Sequence, residues 1–122
     1  MHILESNSTN IQVQSYVPGA SFKIQGIDYS HSILLTPQTC TPWTADTIVT
    51  LSAAHIAEII AYKPTLVLIG TGRLHHFLDP ELLAPLMAHH IGFEVMSTAA
   101  ACRTFTLIAG DNRPILAALC LS

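Results

Sequence analysis

Two short stretches carry the residue types best suited to holding a ligand: Gly70-Thr71-Gly72, and Ser97-Thr98 followed by Ala99-Ala100-Ala101-Cys102-Arg103. Glycines let the backbone take positive φ and let a ligand approach closely, and the intervening threonine adds a hydroxyl. The first amides of a helix lack intrahelical partners and carry partial positive charge, so those of Thr98, Ala99 and Ala100 could hold a carboxylate or phosphate. Helical side chains lean toward the amino terminus, so the Arg103 guanidinium could fold back into the same crevice. Gly70, Thr71, Gly72, Ser97, Thr98 and Arg103 therefore form a candidate ligand-binding set. In the plainer reading, which we favour, the glycines make a turn, the alanines pack a helix on a sheet, and Arg103 is solvated. No catalytic residue is assigned. The chain has no Gly-Lys-Ser/Thr of a phosphate loop, no third glycine of a dinucleotide site and no Gly-x-Ser-x-Gly elbow.

Other reactive types give weaker patterns. His75-His76 and His89-His90 are adjacent pairs, which diverge on a helix, and no acid- or cysteine-rich spacing accompanies them, so no metal is expected. Near a helix end, His89 and His90 are more simply favoured by the helix dipole. Cys40, Cys102 and Cys120 are odd in number and widely spaced, and read as small hydrophobes in a reducing compartment. Cys102 falls on an apolar stripe beside Phe105, which points to a buried, inert thiol. No cofactor is expected.

The elements that must position these residues follow from the pattern. Thr65 to Ile69 and Gly92 to Met96 read as strands, each running into a helix start. The near-continuous apolar run at 66–69 predicts a strand covered on both faces. Between them, Asp79-Pro80-Glu81 predicts a helix start with a capping carboxylate and proline at the first position. Pro85 predicts either a kink or a short turn ahead of a helix beginning near Ala84. Strand, helix and strand make a βαβ unit, and ligands of such folds sit at the carboxyl ends of the strands.

Ser97 or Thr98 caps the next helix, with Ala101, Cys102, Phe105, Ile108 and Ala109 inward; Gly110-Asp111-Asn112 ends it and 115–121 forms a last buried strand. In the first half, Phe22-Lys23-Ile24-Gln25 alternates. Ile27, Tyr29, His31, Ile33 and Leu35 fall on one face of a further strand, giving a β-hairpin or tight meander. Residues 36–43 read as a loop carrying the lone tryptophan, Trp43. Ser52 caps a helix with Ala53, Ile56, Ala57 and Ile60 inward, ending before Pro64. Residues 1–10 read as a flexible arm and 11–122 as a single α/β domain.

The chain has 122 residues, half of them hydrophobic, only 11% charged, and a formal net charge of −3. Such an apolar excess has to be covered, by a three-layer fold, a partner chain or contact with a membrane surface. The first arginine is Arg73, so an electrostatic grip on nucleic acid is not expected. No apolar stretch approaches the roughly 20 residues of a spanning helix, and the amino terminus lacks the features of a targeting peptide, so a cytoplasmic address is expected.

One resemblance covers residues 11–121. Tyr16-Val17-Pro18-Gly19; Gly26, Tyr29 and Ser32 ahead of Ile33-Leu34-Leu35; Pro42-Trp43; Leu68-Ile69-Gly70-Thr71-Gly72; Gly92 to Thr98 with Ala101-Cys102 and Phe105; and Arg113 with Ala117-Ala118-Leu119 occur in an order and spacing that is specific as a set. The chain resembles a small family of unknown function that includes a mitochondrial respiratory complex I assembly factor and an adipogenesis-associated protein. The resemblance implies a three-layer α/β fold with a mixed central sheet and an additional β-hairpin layer from the amino-terminal half, and no established enzyme activity. Three positions depart from the pattern: many relatives have Asp at position 97, Asn at 106 and a glycine directly before Arg113, where this chain has Ser97, Thr106 and Asn112.

These features favour a non-catalytic interaction module that assists assembly of a respiratory or other multi-subunit complex, with Trp43 in the partner-binding surface. Peripheral membrane contact is compatible with it. The alternative is a small-anion or small-ligand-binding protein, or an enzyme, using the crevice at the C-terminal ends of strands 65–69 and 92–96.

Overall fold

The computed structural model describes residues 11–109 and 114–122. The proposed arm at 1–10 and the helix end at Gly110-Asp111-Asn112 lie outside these residues. The amino-terminal half begins with an antiparallel meander of β1 (Val13–Val17), β2 (Ser21–Ile24) and β3 (Ile27–Tyr29). Gln25 and Gly26 both take positive φ, which gives the two-residue turn whose twist matches that of the flanking strands β2 and β3. Phe22 and Ile24 are buried while Lys23 is half-buried, so the alternation in the sequence sets the inner face.

The expected long strand over 27–35 is instead two. The chain leaves the meander after Tyr29 and re-enters a second sheet as β4 (Ile33–Leu35). The break is fixed by a buried serine: Ser32 Oγ accepts from the Leu121 N–H at 3.0 Å, and Ser32 C=O accepts from the Trp43 N–H at 2.9 Å. The expected loop at 36–43 likewise contains an edge strand, β5 (Cys40–Pro42), antiparallel to β4. Pro42 is tolerated there because an edge strand leaves one row of amides unused.

The second sheet has the order β5-β4-β8-β6-β7, with β6 (Leu66–Gly70), β7 (Gly92–Met96) and β8 (Ile115–Leu119) mutually parallel and β4 antiparallel to β8. Alternate residues of β8 and its extension point to opposite cores. Ile115, Ala117 and Leu119 face one side; Leu116, Ala118 and Cys120 face the other. On the first side lie the meander and α3 (Thr98–Ile108), through Phe22, Ile24, Ala101 and Phe105. On the second lie α1 (Ala53–Ala61) and α2 (Pro80–Ala88), through Ile56, Ile59, Leu83 and Leu86. The expected three-layer, mixed-sheet α/β architecture is the observed one.

Two helices differ in detail from expectation. In α1 the inward pair is Ile56 and Ile59, and Ala53 and Ala57 are exposed: the larger side chains take the core and turn the helix accordingly. Helix α2 starts at Pro80 under an Asp79 cap, whose Oδ1 accepts from the Glu81 N–H at 2.9 Å, and runs through Pro85 without ending. Only one interior hydrogen bond is lost there, and burial of Leu83 and Leu86 on either side holds the helix together.

Candidate functional site

Five of the six candidate ligand residues meet where β6 and β7 end and α3 begins; their polar groups bond to each other or to neighbouring residues of the fold. Ser97 is the N-cap of α3, its Oγ accepting from the Ala100 N–H at 3.3 Å. The Thr98 N–H donates to Gly72 C=O at 2.8 Å, and the Gly72 N–H donates back to Thr98 Oγ1 at 2.8 Å. The same hydroxyl donates to Cys120 C=O at 2.8 Å, so one fully buried oxygen joins the β6 loop, α3 and the end of β8. Two of the three amides expected to be free, those of Thr98 and Ala100, are therefore already satisfied.

The glycines serve this closure. A Cβ at Gly70 would lie 2.8 Å from Thr98 Oγ1 and 2.9 Å from Thr98 Cα, so the missing side chain is what lets the helix start pack onto the strand. Gly72 has φ +98°, and a Cβ there would lie 2.0 Å from Ser122 C=O. At both positions the absent side chain makes room for protein packing, as in the plainer of the two readings of the sequence.

Thr71 points the other way, into the loop that follows. Its buried Oγ1 donates to Leu74 C=O at 2.6 Å and accepts from the His76 N–H at 3.1 Å. This side chain replaces backbone pairing and gives residues 71–76 a fixed path. His75 and His76 thus lie in a loop ahead of α2, not on a helix. The path leaves Phe77 92% and Leu74 64% exposed, with the His75 and Phe77 rings 5.0 Å apart. Sequence reasoning missed Leu74 and Phe77. The available signal was two large apolar residues between Gly72 and the Asp79 cap, in a stretch with no strand or helix periodicity.

Arg103 does not join the strand-end cluster. It is exposed on α3 and lines a separate cleft against β1, with Cys102 below it. Burial pushes the Cys102 thiol up to about 12, only partly offset by the nearby guanidinium. Cys120, also buried, is likewise pushed up to about 12. Both are protonated and unreactive near neutral pH. Trp43 is 3% exposed, packed in the α1–α2 core with its Nε1–H donating to His55 C=O at 3.3 Å. Its burial corrects its placement in a partner-binding surface. Among the described residues, no three metal-ligating side chains gather, and no helix is long and apolar enough to cross a membrane.

The sequence pattern of the family described as "Protein of unknown function (DUF498/DUF598)" matches residues 13–120. The chain belongs to this family. The fold agrees: a crystal structure of a Bordetella parapertussis protein superimposes with a TM-score of 0.85 at 28% identity, covering 93% of this chain and 98% of that one. Among named relatives, the 13 kDa major membrane protein of Francisella tularensis subsp. holarctica is 25% identical over 104 residues, 84% of each chain. The NADH dehydrogenase (ubiquinone) 1 alpha subcomplex assembly factor 3 of Xenopus tropicalis is 24% identical over 118 residues, 95% of this chain. This chain spans 64% of that assembly factor's length.

Proposed function

We propose that this protein is a non-catalytic interaction module that docks on a protein partner through residues 72–78 and assists assembly of a multi-subunit complex. The observation that carries this reading is the exposure of Leu74 and Phe77 on a loop whose backbone Thr71 holds from within. An exposed aromatic and an aliphatic side chain on a pre-ordered loop suit docking, because little ordering cost remains to be met on binding. The neighbouring strand-end hydroxyls and amides are tied into the fold, which favours display over chemistry. A relative named as an assembly factor points in the same direction. A partner at a membrane would suit the name of the other relative, the 13 kDa major membrane protein, and a cytoplasmic address for this chain is part of the reading.

Burying two such side chains contributes roughly 3 kcal/mol or more, about hundredfold in affinity. Affinity capture from native cells in mild detergent tests this directly, with wild type compared against a Leu74→Ser, Phe77→Ser double variant. Both positions are exposed, so the variant should keep the wild-type melting temperature. We expect a reproducible partner that the variant fails to retain. No partner, or one held equally by the variant, contradicts the reading.

A further inference from the structure

The cleft between β1 and α3 is separate from the strand-end cluster and from residues 72–78. Its volume is about 510 Å³, within the roughly 300–1,000 Å³ of small-molecule sites. Among the described residues, strand β1 is an edge strand paired only with β2, and its other side lies against α3. Val13, Tyr16, Ala99, Cys102 and Leu107 make most of the lining apolar.

Gln14 and Ser15 also line the cleft, and two of its hydroxyls are committed to the protein. Tyr16 Oη donates to Leu121 C=O at 2.9 Å, and Thr106 Oγ1 donates to Cys102 C=O at 3.1 Å. Tyr16 is further held by its stack on Phe22, with ring centroids 4.9 Å apart. The Cys102 thiol stays neutral, so it sets no negative charge against an anion. Among the described residues, the one formal charge on the lining is the Arg103 guanidinium, a planar fork matched to a carboxylate. A mostly apolar trough with a single cation suits a ligand with one negative charge and an apolar body.

We propose that the β1–α3 cleft binds a monocarboxylate with an unbranched apolar tail, its carboxylate paired with Arg103 and its tail along Val13, Cys102 and Leu107. The ligand class is that of a medium-chain fatty acid. This site goes beyond partner docking at residues 72–78 and stands or falls independently of it.

The test is a titration of isotope-labelled protein with sodium decanoate below its micelle concentration, followed by amide chemical shifts, with 1-decanol, octanoate and acetate as comparison probes. Saturable shifts are expected at β1 and at residues 99–107. Affinity should weaken about fourfold for each methylene removed between decanoate and octanoate, and acetate should not saturate. Arg103→Gln, at an exposed position, should weaken decanoate at least tenfold and leave 1-decanol unchanged. Ala99→Phe, which fills the cleft, should weaken both. Should that variant fail to fold, the Arg103→Gln comparison decides alone. The proposal is overturned if decanoate gives no saturable shift, if the shifts map elsewhere, or if Arg103→Gln binds decanoate as tightly as wild type.

Discussion

Thr98 holds three chain segments together through one hydroxyl that accepts from Gly72 N–H and donates to Cys120 C=O. Replacing it with valine keeps the shape but leaves a buried donor and a buried acceptor without partners, a loss of about 2–4 kcal/mol. Thr98→Ser keeps the hydroxyl and gives up only a methyl group, costing about 1 kcal/mol. Urea unfolding of the two variants should show that difference; equal losses would mean that the methyl, not the hydrogen bonds, matters at this position. The sequence identified which residues gather here, since Gly-Thr-Gly and Ser-Thr mark a strand end and a helix cap by local chemistry. What consumes their polar groups was not legible. The Cys120 carbonyl lies 22 residues from Thr98 in the chain, and no local pattern records such a pairing. The direction of Arg103 was hidden for a similar reason: the β1 strand that forms the facing wall of its cleft comes from the other end of the chain.

At the scale of elements, helix α2 ends in a tight cap made without glycine. The Ile91 N–H donates to Leu86 C=O and the His90 N–H to Met87 C=O, at 2.9 and 3.0 Å, while His90 takes φ +58°. This is the paired-bond ending in which the residue past the cap is left-handed, a conformation that penalises a side chain by about 1 kcal/mol. His90→Gly should therefore stabilise the protein by about 0.5–1 kcal/mol, read as a higher urea midpoint at unchanged slope; destabilisation would show that the imidazole itself contributes. Helix starts at Ser52, Asp79 and Ser97 were readable because capping is written in adjacent residues. The continuation of α2 through Pro85 was not, because burial of Leu83 and Leu86 outweighs a local breaker. The same holds for the strand expected over 27–35. Its period-two pattern holds in β4, where Ile33 and Leu35 face one core and Leu34 the other, but Ile27 in β3 is exposed, and tertiary bonds to Ser32 divide the stretch between two sheets.

For the whole molecule, the apolar excess in the sequence is largely taken up by two cores, one on each face of the five-stranded sheet. What remains outside includes Leu74 and Phe77 on the loop after β6. The arrangement separates two regions that the sequence suggested were one: a strand-end cluster whose polar groups stitch the fold together, and surfaces beside it that are free to meet other molecules. The distinction supports the proposed binding scaffold over a ligand site at the strand ends. Titrating isotope-labelled protein with inorganic phosphate and following the amide resonances of Gly72, Thr98 and Ala100 tests it most directly. If these amides are already bonded within the protein, their shifts stay constant as phosphate rises into the millimolar range. A saturable shift at Gly72 and Thr98 would show that the crevice opens to an anion, and would contradict this account.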